Sequence, residues 1–191
     1  IEGIQQDDGW FDNYKDFENQ LTKQNGEVNL EDANGRALWS LGTVIGHTNS
    51  LPKDLVNRAE ICWDKAIERI DDILSPRAIA YSLKGLYNYY STHKEDTVKK
   101  NIERLADKLL HHYNINSDES WCWYEDYMTY ANNVLPEAMM YSYLVTGKQK
   151  YKKIAAVTFD FLLSHYFMKG QLKVISLGRE RSEAKPGAHS G

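Results

Sequence analysis

Two kinds of helical segment alternate along this chain, and that alternation constrains the fold more than any other feature. In the first kind, apolar or aromatic residues occur nearly all round the helix, which indicates burial on most sides. Residues 75–90 and 133–147 form such segments, and the helix predicted at residues 29–47 takes the matching first position in the alternation. In the second kind, apolar residues recur every three or four positions and charges occupy the opposite face, as in a surface helix. These segments cover residues 53–74, 95–113 and 148–167.

The regular alternation predicts stacked helical hairpins, which form either an open solenoid or a closed toroid. Two concentric helix layers favour an all-α (α/α) toroid, of which this chain would hold about three helical hairpins. We expect this domain to span residues 1–175. Residues 176–191 mix Gly, Ser, Pro and charge without periodicity, so we expect a disordered or non-native tail.

Residues that begin or end helices support the same segmentation. Asp32 and Asn133 are predicted N-caps, and Ser75 followed by Pro76 is typical of a helix start. Gly147 is predicted to end the third buried helix. The polar first thirty residues predict extended segments or a short hairpin.

Composition limits the function classes. With 191 residues, 42% of them hydrophobic, the chain suits one domain with its own core. A net charge of −4 offers no basic field for nucleic acid, and no apolar run approaches the ~20 residues that cross a bilayer. Cys62 and Cys122 are expected to be buried free thiols, and no metal or cofactor motif is evident. The start of the chain lacks the features of a secretory signal, which favours a cytoplasmic location.

The first candidate constellation lies at the start of the first buried helix. Glu31 and Asp32 lie at the N-terminal end of this helix, Arg36 follows one turn later, and Trp39 lies on the next turn. Carboxylates here face the positive end of the helix dipole. The constellation is either part of a site or an N-cap with a structural ion pair to Arg36.

The second constellation is the long connection at about residues 114–132, which is too aromatic to be disordered. If its centre is extended, residues alternate between two sides. One side would hold Trp121, Trp123, Glu125, Tyr127 and Thr129, and the other Cys122, Tyr124, Asp126, Met128 and Tyr130. Two indoles beside Glu125 would suit a sugar, whose C–H faces stack on tryptophan. The alternative is a plug at the end of the toroid, with Glu125 or Asp126 in a salt bridge.

The third constellation, Asn132, Asn133 and Glu137, lies at the start of the third buried helix. Glu137 is one of few charges on an otherwise apolar helix, so it must be paired or face a wet cavity. In a toroid, the equivalent ends of the inner helices converge on one mouth. We therefore expect the three constellations to lie near each other.

Three motifs carry a resemblance to a known family: "DGWFDNY", "LEDANGRALWSLG" and "WCWYEDYMTYANNVLPEAMMYSYLVTG". They resemble bacterial proteins of the six-hairpin glycosidase-like superfamily that are often encoded with glycosyltransferases. The resemblance covers roughly Asp7 to Ile175 and implies an (α/α)6 toroid. Because such a toroid needs six hairpins, we expect this chain to be an interior fragment that self-associates through two exposed apolar flanks.

The resemblance implies a carbohydrate-active protein, glycoside hydrolase-like and inverting, in which one carboxylic group donates a proton and another activates water. The candidates for these groups are Glu31, Asp32, Glu125, Asp126 and Glu137. The candidates for sugar positioning are Arg36, Trp39, Trp121, Trp123, Tyr124, Asn132 and Asn133. Two alternatives stay open. One is a non-catalytic glycan-binding or scaffold domain that partners a glycosyltransferase. The other is a sugar epimerase or isomerase, which would require a histidine facing the cavity, such as His47.

Overall fold

The computed structural model describes residues 2–168 and 171–172, and α-helices dominate its regular structure. The helices are α1 (Glu31–Gly46), α2 (Lys53–Ile67), α3 (Pro76–Thr92), α4 (Asp96–Asn116), α5 (Val134–Thr146) and α6 (Gln149–Tyr166). Short 3₁₀ turns cover Glu2–Ile4, Lys23–Gly26 and Ile70–Asp72. A two-residue antiparallel pair joins β1 (Phe167–Met168) to β2 (Gln171–Leu172). The predicted all-α fold class is confirmed.

The helices form an inner layer of α1, α3 and α5 and an outer layer of α2, α4 and α6. In the inner layer, α3 packs on both α1 and α5. In the outer layer, α2 packs on α1, α4 on α3 and α5, and α6 on α5. Burial follows this order, because every residue from Arg77 to Leu86 in α3 is buried while α2 and α4 bury single stripes. The hairpin arrangement is compatible with the predicted toroid, whose closure stays a prediction.

The two inner helices α1 and α3 approach very closely because glycine lies at their contact. A Cβ atom on Gly42 would lie 2.7 Å from the carbonyl carbon of Gly85 and 2.8 Å from its Cα. A Cβ on Gly85 would lie 2.5 Å from the carbonyl oxygen of Leu38. Only residues without a Cβ permit this separation. The glycine contact therefore sets the spacing between the helices that carry Trp39 and Lys84.

The first outer helix is shorter than its sequence pattern predicts. We expected one helix over residues 53–74, but α2 ends at Ile67 and a 3₁₀ turn follows at Ile70–Asp72. The buried stripe includes Val56 and Trp63, while Leu55 and Leu74, the first and last leucines of the predicted segment, are exposed. Leu74 points outward because the chain is already extended at Ile73, beyond the turn.

Most predicted helix ends are confirmed, but the capping interactions differ. Ser75 precedes Pro76 at the start of α3, and Gly147 ends α5 with a left-handed φ of 73°. Asn133 occupies the N-cap position of α5 without a capping hydrogen bond from its side chain. Asp32 is not an N-cap, because α1 begins one residue earlier.

The connection between α4 and α5, residues 117–133, packs into the core. Trp123 and Tyr124 at its centre are fully buried, and Met128 is 2% exposed. The chain bends through residues 123–127 instead of running extended. The long aromatic insertion predicted before the third inner helix is therefore present, but it is folded inward. The predicted tail, residues 176–191, lies outside the described residues.

The segment before α1 contacts the helices at several points, and Phe11 is its buried anchor. Isolated bridges pair Gln5 with Phe11 and Lys15 with Leu21. Phe11 is 2% exposed, and its N–H donates to the Asn34 side-chain oxygen at 2.7 Å. The Asn34 amide donates back to the Phe11 carbonyl at 3.2 Å. The Asn34 side chain thus satisfies the backbone N–H and carbonyl of Phe11, which a neighbouring β-strand would otherwise do.

Candidate functional site

The inner helices carry a group of aromatic and charged side chains that contact one another across the layer. Each helix contributes a pair spaced by three or four residues, so both members share one helix face. We call the group the inner-face patch. It consists of Arg36 and Trp39 on α1, Tyr81 and Lys84 on α3, and Glu137 and Tyr141 on α5.

Lys84 lies at the centre of the inner-face patch. Its Nζ is 3.9 Å from the centroid of the Trp39 ring and 2.8 Å from Oε2 of Glu137. The Lys84 side chain is only 8% exposed, whereas that of Glu137 is 33% exposed. A buried ammonium needs such partners, since an uncompensated charge in the interior is costly. The pair thus presents a carboxylate to solvent from a buried support.

A tyrosine holds the other oxygen of Glu137. The Tyr141 hydroxyl donates to Oε1 at 3.0 Å, and its ring stacks on Tyr87 with centroids 4.1 Å apart. Burial, followed by the hydrogen bond to Glu137, raises the pKa of Tyr141 to about 12. The hydroxyl therefore stays protonated near neutral pH and remains a donor. Glu137 is fixed from both sides, which confirms that this charge on an apolar helix is paired.

The α1 edge of the patch is aromatic. Trp39 and Tyr81 stack with ring centroids 5.8 Å apart and planes 13° apart. The Arg36 guanidinium lies 5.6 Å from the Tyr81 ring centroid, and its Nε donates to the Asp32 carbonyl at 3.2 Å. Burial raises the pKa of Tyr81, and the nearby Arg36, Asp32 and Arg77 charges modify it further. Arg36 therefore links the Asp32 backbone to the Tyr81 ring.

A buried arginine organises the loop before α5. Arg77 on α3 forms an ion pair with Glu125, and the two side chains are 4% and 10% exposed. Its Nε also donates to the Tyr130 carbonyl at 2.8 Å, and its Nη2 donates to the Asn132 side-chain oxygen at 3.0 Å. The guanidinium lies 5.0 Å from the Tyr130 ring centroid. The predicted alternative of a salt-bridged plug describes Glu125 well, because its carboxylate fastens the loop to α3.

The two carboxylates at the start of α1 have separate roles. Oε2 of Glu31 accepts hydrogen bonds from the backbone N–H groups of Leu74 and Ser75, at 2.7 Å and 2.6 Å. Asp32 accepts a hydrogen bond from the Ser75 hydroxyl at 3.0 Å and another from the Tyr130 hydroxyl. Glu31 thus caps the approach to α3, while Asp32 joins α1 to the loop.

The structure corrects the predicted tryptophan platform. Trp121 is 6% exposed and Trp123 is fully buried, so neither ring offers a face to a ligand. Trp121 packs edge-on against Phe161 and donates from Nε1 to the Glu125 carbonyl at 2.6 Å. The Tyr124 hydroxyl is buried against the Thr158 hydroxyl at 3.0 Å. These rings belong to the core because the loop bends, which breaks the expected two-sided alternation.

Three other predicted site residues lie around this loop. Asp126 is exposed at the bend, and Asn133 is exposed at the start of α5. Asn132 is fully buried and bridges the turn, since its amide donates to the Thr129 carbonyl at 2.8 Å while its oxygen accepts from Arg77. Asn132 therefore supports the loop, and the predicted sugar contact is replaced by a structural one.

Arg77, Tyr81, Lys84, Tyr130 and Tyr141 were not among the candidates that the sequence suggested. Arg77 and Lys84 carried a usable signal, because they are charges within a nearly continuous apolar helix. The argument that singled out Glu137 applies equally to them. Nothing in the sequence distinguishes Tyr81, Tyr130 and Tyr141 as site residues, because the chain has 13 tyrosines.

Within residues 2–168 and 171–172, no group of three or more His, Cys, Asp or Glu side chains could hold a metal ion. No helix in the same residues is long and apolar enough to cross a membrane. Comparison with family models, with curated proteins and with solved structures returned no match.

Proposed function

We propose that this chain is part of a carbohydrate-active protein and that the inner-face patch binds a glycan. The observation that carries the proposal is the fixed Lys84–Glu137–Tyr141 network beside the Trp39 ring. Aromatic surfaces suit the C–H faces of sugar rings, and a few fixed polar groups suit their hydroxyls. The sequence resemblance to six-hairpin glycosidase-like proteins supports the same substrate class.

If the protein is a hydrolase, Asp32 and Glu137 are the carboxylates that we propose for acid and base. Glu31 and Glu125 are less suitable, because Glu31 binds backbone N–H groups and Glu125 binds Arg77 in a buried pair. Asp32 accepts hydrogen bonds from the Ser75 and Tyr130 hydroxyls, and Glu137 is part of the patch and one-third exposed. Inversion remains the stereochemical outcome that the resemblance implies.

Glycan binding is tested by titrating the protein with a panel of neutral oligosaccharides and measuring the heat of binding by calorimetry. Trp39→Leu is expected to weaken binding of any oligosaccharide at least tenfold, because the half-buried ring is replaced by a side chain without a flat face. Phe17→Leu is the matched control, since Phe17 is fully exposed and lies before α1. Equal affinities of Trp39→Leu and the unchanged protein would contradict the proposed site.

Catalysis needs a separate test. Asp32→Asn and Glu137→Gln should each lower hydrolysis of a bound oligosaccharide by roughly 10²-fold or more, the usual contribution of a general acid or base. Binding should change much less, and Asp126→Asn should leave hydrolysis intact. Product release is measured by chromatography, and the anomer formed is read by NMR.

A non-catalytic glycan-binding or scaffold domain is the second candidate. The observation that favours it is that Glu137 is already paired with Lys84, while Asp32 accepts hydrogen bonds from Ser75 and Tyr130. Oligosaccharide binding that depends on Trp39, with no hydrolysis by the unchanged protein, is the result expected for this candidate. The same result would exclude the hydrolase proposal.

A further inference from the structure

Arg36 is a guanidinium of the inner-face patch that has no acidic partner among the described residues. Its Nε donates to the Asp32 carbonyl at 3.2 Å, and its Cζ lies 5.6 Å from the Tyr81 ring centroid. Within residues 2–168 and 171–172, its two terminal amino groups make no hydrogen bond and no ion pair. The side chain is exposed, so these amino groups are available to a ligand beside the aromatic stack of the patch.

Two other cations lie close to Arg36, and both are already neutralised. Lys84 forms an ion pair with Glu137, and the Lys84 side chain is only 8% exposed. Arg77 forms a buried ion pair with Glu125. A ligand cannot bind either cation without replacing a carboxylate of the protein. In the part of the chain that the structure describes, Arg36 is therefore the cation of this face whose charge a ligand can still neutralise.

The carboxylates nearest to Arg36 in the sequence bind other groups. Asp32 accepts hydrogen bonds from the Ser75 hydroxyl at 3.0 Å and from the Tyr130 hydroxyl, and only its backbone carbonyl binds the guanidinium. Glu31 accepts hydrogen bonds from backbone N–H groups just before α3. The charges of this face, as far as the structure describes it, do not add up to a positive field. An anion is therefore held at Arg36 only by direct contact.

We propose that the glycan bound by the inner-face patch is acidic, and that a sugar carboxylate, as in a uronic acid, binds the two terminal amino groups of Arg36. This inference rests on the proposed glycan-binding function and names the class of its ligand. A guanidinium matches the two oxygens of a carboxylate through paired hydrogen bonds. Because one positive charge is available, a singly charged carboxylate suits this position better than a doubly charged phosphate. The acidic sugar then lies beside the stacked rings of Trp39 and Tyr81.

The test compares uronate oligosaccharides with their own methyl esters, which have the same rings and linkages without the negative charge. Trimers of galacturonic, mannuronic and glucuronic acid are titrated, each beside its ester, and the heat of binding is measured by calorimetry. The unchanged protein should bind at least one acid about tenfold more tightly than its ester. This difference should shrink as salt is added, because Arg36 is exposed and its attraction to the ligand is screened.

Substitutions of Arg36 connect the preference for an acid to this side chain. Arg36→Gln should lower the affinity for the preferred acid about tenfold or more and leave the affinity for its ester within about twofold. Arg36→Lys keeps the charge but loses the paired hydrogen bonds, so it should retain part of the preference. Lys100→Gln is the matched control, since Lys100 is an exposed cation on the outer helix α4 and its loss changes the net charge equally. Circular dichroism checks that all three variants retain their helices.

Three results would overturn the inference and leave glycan binding intact. One is Trp39-dependent binding of neutral oligosaccharides with no tighter binding of any uronate trimer. Another is a preference for the acid that Arg36→Gln leaves unchanged. The last is tighter binding of a sulfated neutral oligosaccharide than of every uronate trimer, which would assign Arg36 to a sulfate ester. By contrast, absence of binding to every acidic and neutral oligosaccharide would contradict the proposed function itself, and the inference with it.

Discussion

Gly42→Ala tests whether the spacing of the inner helices depends on glycine. In an isolated helix this substitution is stabilising by roughly 1 kcal/mol, because alanine is the better helix former. Here the new Cβ would lie 2.7 Å from the carbonyl carbon of Gly85 and 2.8 Å from its Cα. These opposing atoms are backbone, so no side-chain rotation can relieve the overlap. The helices α1 and α3 must separate.

The expected magnitude follows from what that separation disturbs. Overpacking of a close-packed interior costs about 1–3 kcal/mol where side chains can adjust. Because the new Cβ would meet backbone atoms, which cannot rotate away, we expect the cost of Gly42→Ala at the upper end of this range. Separation also loosens the buried contacts of Leu38 and Ile45, which are 2% and 0% exposed. We expect a net loss of about 2–3 kcal/mol, which lowers Tm by roughly 5–10 °C for a domain of this size.

The measurement is urea and thermal unfolding followed by circular dichroism. Gly26→Ala is the matched control, because no heavy atom lies within 4 Å of its added Cβ, and a change within about 0.5 kcal/mol is expected there. Tryptophan fluorescence should also shift in Gly42→Ala, since Trp39 moves relative to Lys84. An unfolding midpoint equal to or above that of the unchanged protein would refute the close-contact explanation.

Three further predictions concern the loop and its surroundings. Arg77→Met should lower the free energy of unfolding by about 3–5 kcal/mol because Glu125 loses its buried partner, and adding Glu125→Leu should recover part of that loss in urea titrations. Burial lowers the pKa of His112, whose Nε2 donates to the Leu74 carbonyl at 3.0 Å. The His112 imidazole is therefore protonated more readily in the unfolded chain than in the folded protein. The free energy of unfolding should fall as pH drops below about 6.5, and His112→Gln should flatten that part of the pH profile. Ala131 has a left-handed φ of 49°, so Ala131→Gly should raise the free energy of unfolding by up to about 1 kcal/mol, whereas Ala131→Val should lower it.

The order of the helices could be predicted because it depends on local periodicity. The contrast between the apolar segment that became α3 and the one-sided segments that became α2 and α4 predicts which helices lie inside. The same local reasoning predicted the starts and ends marked by Pro76 and Gly147. It failed for the end of α2, where the apolar pattern continues to Leu74 but the helix stops at Ile67.

The loop shows why the site could be predicted only in part. The alternation argument assumed an extended chain, and it placed Trp121, Trp123 and Glu125 together on one side. All three are buried, but Tyr124 from the other side is buried with them because the chain bends. The bend is held by Arg77, whose hydrogen bonds reach backbone and side-chain atoms of the loop. Nothing in the loop's own residues identifies that partner.

The sequence by itself determined the all-α class, the alternation of inner and outer helices, and the need of Glu137 for a partner. These follow from helix periodicity and from the cost of a bare charge among apolar neighbours. Only the tertiary structure decided which partner each carboxylate binds. Glu31, Glu125 and Glu137 meet their partners across 43, 48 and 53 residues of chain. Hydrogen bonds act over a few ångströms, so the packing of α1, α3 and α5 selects those partners.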